Sequence, residues 1–119
     1  MKRKKIIVAD DDSDILEVIN LILNVKGYDV QTEKNAENLL TMKDDLPDLL
    51  LLDIWMSGID GRDICRQLKN RHETKDLPVI MLSANIDIQK MSADCGATDY
   101  LAKPFDINEL VGIIEKHTA

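Results

Sequence analysis

The chain has 119 residues, 45% apolar and 31% charged, with a formal net charge of −7. That length suits one domain, which buries enough surface to fold without staples. The acidic balance argues against nonspecific binding to nucleic acid or to an anionic membrane, and no apolar run reaches the ~18 residues that span a bilayer.

The basic run Lys2-Arg3-Lys4-Lys5 reads as a solvated lead-in to the first strand, not as a nucleic-acid arm. It is no signal peptide either, because the short apolar run after it ends in acids. Ile6-Ile7-Val8-Ala9 is that first strand. Ile15, Leu16, Ile19, Ile22 and Leu23 then form the apolar stripe of a helix that Asp12 or Ser13 caps and Gly27 ends. Asp29 to Glu33 is a weaker strand. Asn35 caps a short helix running through Met42, and Pro47 bars its continuation.

Leu49-Leu50-Leu51-Leu52 and Val79-Ile80-Met81-Leu82 are continuous apolar runs too short for helices, as expected of strands covered on both faces. Between them, Gly61 to Asn70 places Ile64, Cys65 and Leu68 on one helical face. A fourth helix starts at Asp87 and stops at Gly96. A last strand covers Asp99-Tyr100-Leu101-Ala102, and Asp106 caps a final helix with Leu110, Val111, Ile113 and Ile114 on its apolar side. Cys65 and Cys95 read as reduced, buried thiols of a cytosolic protein, since no CxxC motif is present. His72 and His117 are expected to be exposed, and neither has a second histidine at ligand spacing.

Strand and helix thus alternate five times. This predicts an α/β fold: a doubly wound, parallel five-stranded sheet with flavodoxin-like order 2-1-3-4-5 and helices on both faces. Ligands of such sheets bind at the carboxyl ends of the strands. Those ends carry Asp10-Asp11-Asp12, Asp53, Ser83 and Lys103-Pro104. Clustered carboxylates repel by about 4 kcal/mol per pair at ~4 Å and an effective dielectric near 20. An oxygen-only, anionic site of this kind suits a hard cation, and magnesium fits better than calcium because few protein ligands are on offer.

Four blocks in order, residues 6–12, 49–61, 78–84 and 96–105, resemble the receiver domains of two-component response regulators. The resemblance covers nearly the whole chain and implies one receiver domain over residues 1–119, with no output domain in it. It implies that Asp53 is the phosphoacceptor and becomes 4-aspartylphosphate. Asp11 binds magnesium directly, Asp10 through water, and the Trp55 carbonyl is a further ligand. Ser83 meets the phosphoryl group and Lys103 contacts it. Tyr100 and Ser83 form the switch, and the Lys103–Pro104 bond is cis.

The implied function is that of a phosphorelay receiver in the cytoplasm. A histidine kinase or histidine phosphotransfer protein supplies the phosphoryl group. The domain catalyses its own phosphotransfer and autodephosphorylation without being a classical turnover enzyme. An effector or a second copy reads the face formed by the fourth helix, fifth strand and fifth helix, including Lys90, Asp94, Tyr100 and Asn108. No direct contact with nucleic acid or membrane is implied.

Three positions depart from, or vary within, the family pattern. Ser57 stands where proline is usual, and Trp55 and Asn85 occupy the places that tune phosphate lifetime.

Other readings compete. Asp12 and Asp14 are ordinary cap and solvated-face acids, and Asp60 is a loop acid before Gly61. An aspartate-nucleophile phosphatase would use Asp10 and Asp12 as its pair but would need a longer chain. A flavodoxin would need phosphate-cradling donors where Asp10-Asp11-Asp12 stand. A phosphorylation-independent pseudo-receiver would be expected to have lost an acid or the lysine, and all are present.

Overall fold

The computed structural model describes residues 3–119. Numbering only the strands of the main sheet, the elements are β1 (Lys5–Ala9), α1 (Ser13–Val25), β2 (Asp29–Glu33), a 3₁₀ turn (Ala36–Thr41), β3 (Leu49–Asp53), α2 (Gly61–Lys69), β4 (Val79–Ser83), α3 (Ile88–Asp94), β5 (Asp99–Ala102) and α4 (Ile107–Thr118). A small antiparallel ribbon, Trp55–Met56 against Ile59–Asp60, sits between β3 and α2. The five main strands are all parallel in the order β2-β1-β3-β4-β5. This is the doubly wound sheet the alternation predicted.

Two aliphatic cores explain why the central strands are apolar throughout. Ile7, Ala9, Leu50, Leu52, Val79 and Met81 point to one face, where α2, α3 and the 3₁₀ turn cover them. Ile6, Val8, Leu49, Leu51, Ile80 and Leu82 point to the other, against α1 and α4. Side chains alternate along a strand, so a strand with a core on each side has no polar positions. Leu49 to Leu52 are completely buried, and each contributes about 1.5–3 kcal/mol relative to an exposed leucine.

Helix ends follow the sequence cues. The Asp12 carboxylate accepts from the Asp14 and Ile15 N–H groups at the start of α1, and Gly27 takes a left-handed φ of 95° just beyond its end. Asp106 and Glu109 form a reciprocal capping box on α4. Leu16, Ile19 and Leu23 are the buried stripe of α1, with Ile15 and Ile22 half-buried beside it.

Several expectations need correction. The short second helix is a 3₁₀ turn ending at Thr41, and the fourth helix ends at Asp94 with Cys95 as its C-cap. Lys5 is not a solvated lead-in: it opens β1, and its ammonium pairs with Asp45 at 3.1 Å. Lys2 lies outside the described residues. His72 is exposed as expected, but His117 is not. Its side chain is only 16% exposed, and Nε2 lies 2.8 Å from Asp99 Oδ2. The histidine ends α4 close to β5, and Asp99 gives it a partner there. Cys65 and Cys95 are free and buried. Among the described residues, no helix is long and apolar enough to cross a membrane.

A carboxylate cluster at the carboxyl edge of the sheet

Register brings the site together. Ala9 lies beside Leu52, so Asp10 leaves β1 next to Asp53 at the end of β3. Asp53 in turn lies beside Leu82, which places Ser83 one residue further along β4. The Lys103 N–H donates to the Ser83 carbonyl at 2.8 Å, extending the β4–β5 ladder by one residue. The Lys103–Pro104 peptide that follows is cis.

One carboxylate oxygen from each of Asp10, Asp11 and Asp53 lies within 4.8 Å of the others. Asp10 and Asp53 are buried, at 1% and 8% exposure, whereas Asp11 is exposed. Lys103 Nζ bridges the two buried acids, 2.9 Å from Asp10 Oδ2 and 3.5 Å from Asp53 Oδ1. The other Asp10 oxygen accepts the Asp12 N–H at 3.0 Å. Asp11 Oδ2 accepts the Ser57 N–H at 2.8 Å.

Three carboxylates face one ammonium. Burial, with the neighbouring Asp10 charge adding to it, pushes the Asp53 carboxyl up to about 6 despite the opposing pull of Lys103. Burial works against the Lys103 charge, but the hydrogen bond and charge of Asp10, together with Asp53, outweigh it and hold the ammonium above its ordinary value. A site with this excess of oxygen anions has the donor set of a hard divalent cation.

The remaining sequence-selected residues surround this cluster. Ser83 Oγ is half-buried and accepts the Asn85 N–H at 2.9 Å. Tyr100 is half-buried on β5 and packs against the core beneath α2 and α3. Trp55 lies two residues beyond Asp53 and is 61% exposed. Lys90, Asp94 and Asn108 are exposed.

Two contributions to the site were not read from sequence, where Ser57 figures only as a departure from proline and Gly61 only as a helix start. Ser57 and Gly58, with φ of 49° and 78°, form the two-residue loop of the ribbon, and this aims the Ser57 N–H at Asp11. The Ser-Gly dipeptide marks a turn in the sequence but not its target. Gly61 packs directly against the Asp53 carbonyl and donates to the Ile54 carbonyl at 2.5 Å, leaving no space for a Cβ.

Comparison with known proteins agrees with this geometry. Residues 6–115 match the family model described as response regulator receiver domain. The DNA-binding dual master transcriptional regulator RpaA of Synechocystis is 37% identical over 110 residues, 90% of this chain and 46% of that protein. The response regulator MprA of Mycobacterium avium is 38% identical over the same share of this chain and 47% of its own length. The chain therefore spans about half the length of these curated relatives.

Among solved structures, a response regulator from Chloroflexus aurantiacus superposes with a TM-score of 0.92 at 34% identity, covering 98% of both chains. The receiver domain of the sensor histidine kinase PA1611 of Pseudomonas aeruginosa superposes with a TM-score of 0.88 at 26% identity, again over 98% of both chains. That structure has a magnesium ion coordinated in its active-site cleft.

Proposed function

Because this chain belongs to the response regulator receiver domain family of two-component signalling, we propose that Asp53 is its phosphoacceptor, loaded from a phosphohistidine donor in a magnesium-dependent reaction. The observation that carries this reading is the convergence of Asp10, Asp11 and Asp53 oxygens within 4.8 Å, with Lys103 against two of them. No other group of three or more such side chains gathers in this way among the described residues.

The donor set fits magnesium: carboxylates only, few in number, at a partly open edge. Asp11 and Asp53 would hold the ion directly, Asp10 through water, and the Trp55 carbonyl would complete the protein ligands. When bound, magnesium supplies positive charge beside the transferring phosphoryl oxygens.

Asp53 acts as nucleophile. One carboxylate oxygen forms the bond to phosphorus as the phosphorus–nitrogen bond of the donor breaks, and the nitrogen leaves with its electron pair on the imidazole. No general base is required, since the carboxyl is mostly ionised at neutral pH even with its elevated pKa of about 6. Lys103, already within 3.5 Å of Asp53, turns from Asp10 to a phosphoryl oxygen. Ser83 contributes its hydroxyl to another.

The donor is a histidine kinase or a histidine phosphotransfer protein. Its route to Asp53 passes an apolar cleft lined by Ile15, Val18, Pro104 and Phe105 on the Lys103 side of the site. Ser83 moving toward the phosphoryl group frees space that Tyr100 fills, which changes the face made by α3, β5 and α4. An effector or a second copy of the chain reads that face. In this reading the 119 residues form one receiver unit working in the cytoplasm.

The test is intact mass after incubation with acetyl phosphate or phosphoramidate. One phosphoryl mass should appear with magnesium and disappear with EDTA or in Asp53→Asn. Labelling that survives Asp53→Asn, or steady turnover of p-nitrophenyl phosphate without a stable adduct, would defeat the proposal.

A further inference from the structure

We propose that the backbone N–H of Ser57 is a positioning group for the magnesium ligand Asp11, an inference that rests on the metal-dependent reading of the site. The three clustered carboxylates are not equally supported. Asp10 is held from two sides, by the Asp12 N–H at 3.0 Å and by Lys103 Nζ at 2.9 Å. Asp53 has Lys103 at 3.5 Å. Asp11 is exposed, and the donor that reaches its carboxylate among the described residues is the Ser57 N–H, 2.8 Å from Oδ2. An exposed aspartate rotates freely unless something fixes its χ angles. A hydrogen bond to one oxygen fixes the carboxylate whose oxygen gathers with those of Asp10 and Asp53.

The local backbone is arranged to make this bond. Trp55–Met56 and Ile59–Asp60 pair as a ribbon, and a two-residue loop must close it. Loops of that length favour turns with positive φ at both central residues, because their twist matches that of the strands. Gly58 meets the requirement easily. Ser57 meets it at φ 49°, a region that non-glycine residues seldom occupy. In this conformation the Ser57 N–H points across to Asp11, 46 residues earlier in the chain. Proline, the usual family residue here, has no N–H and cannot reach a positive φ. The bond is therefore a property of this chain's ribbon. Carboxylates that ligate metals are commonly fixed by such an outer hydrogen bond, and losing one costs metal affinity by about 10-fold or more.

The experiment replaces the Ser57 amide by an ester, using the α-hydroxy acid analogue of serine, which deletes the N–H while keeping side chain and turn. Ser57→Gly is the companion variant, since it keeps the N–H and relaxes the positive φ. Magnesium is titrated against Trp55 fluorescence in all three proteins, and their melting temperatures are compared in EDTA.

The expected result is about 10-fold weaker magnesium binding by the ester, near-native binding by Ser57→Gly, and closely similar melting in EDTA. Native affinity in the ester would overturn the inference, as would an equal loss in Ser57→Gly or a loss of affinity matched by a collapse of melting temperature. A wild-type protein that takes up no magnesium would instead overturn the metal-dependent reading itself.

Discussion

Lys103 Nζ sits closer to Asp10 than to Asp53, at 2.9 Å against 3.5 Å, so the lysine leans away from the proposed phosphoacceptor. Its ammonium is the cation paired with these two buried acids among the described residues. Lys103→Ala should therefore separate two quantities. Magnesium affinity should hold or rise a few-fold, because a repelling charge is gone. Phosphoryl transfer from acetyl phosphate should slow by about 10²–10³-fold, the usual cost of losing one group that stabilises transition-state charge. Time-resolved intact mass alongside a magnesium titration checks both. A parallel fall of the two would reduce Lys103 to a structural role.

The elevated Asp53 carboxyl gives the site a pH signature. With its pKa at about 6 instead of the ordinary 3.8, the folded protein holds this proton more tightly than the unfolded chain does. In EDTA the effect on stability runs opposite to that of a salt-bridged acid. The favourable contribution is present below about pH 4 and is lost as pH rises toward about 6, with little change beyond. Magnesium must displace the same proton. Its affinity should climb up to about tenfold per pH unit below pH 6 and level off above it. Urea unfolding in EDTA and fluorescence titration with magnesium, each from pH 5 to 8, measure the two effects. A flat magnesium affinity across pH 6 would show that Asp53 is not a ligand.

Gly61 sets a steric limit at the same place. An added Cβ would collide with the Asp53 carbonyl and crowd the Ile54 carbonyl, both backbone atoms with little freedom to retreat. Gly61→Ala should cost about 1–3 kcal/mol of stability as overpacking. Because the clash falls on the strand end that carries the proposed phosphoacceptor, it should also slow labelling while the protein stays folded. Urea melts and mass labelling together test this. Native stability in the alanine variant would mean the ribbon shifts more easily than its packing suggests.

Most of this architecture could be read from the chain, and the exceptions share a cause. Leu49–Leu52 and Val79–Leu82 announce themselves because a strand buried on both faces has no polar positions. The acids then fall at strand ends by counting. The Trp55–Asp60 ribbon did not show, since two-residue strands have no periodicity to detect. The 3₁₀ geometry of Ala36–Thr41 was hidden because its cap, Asn35, serves an α-helix equally well. The Ser57 contact involves a backbone N–H, a group every residue but proline possesses. His117 was misjudged because its partner lies on another element, and one sequence carries no pairing information of that range.

That last pair supplies the final prediction. Asp99 is partly buried at the start of β5, which by itself would raise its carboxyl. The His117 hydrogen bond, the Tyr100 N–H and the nearby Lys116 charge outweigh burial and hold it below the ordinary carboxylate range. A depressed carboxyl stabilises the fold fully above its unfolded value, near pH 4, and loses that contribution as pH falls through the lower folded value. Asp99→Asn should remove a charged acceptor that ties the end of α4 to β5, at a cost of roughly 1–2 kcal/mol near neutral pH. The deficit should shrink in strong acid, where the wild-type carboxyl is itself protonated. Asp99 also precedes Tyr100, whose N–H it accepts at 2.9 Å, so the substitution loosens the strand that carries the proposed switch residue. Hydrogen exchange at Tyr100 and Leu101 should rise in Asp99→Asn. Exchange that stays at the wild-type rate, or a stability deficit independent of pH, would show that the Asp99–His117 contact does not anchor this edge.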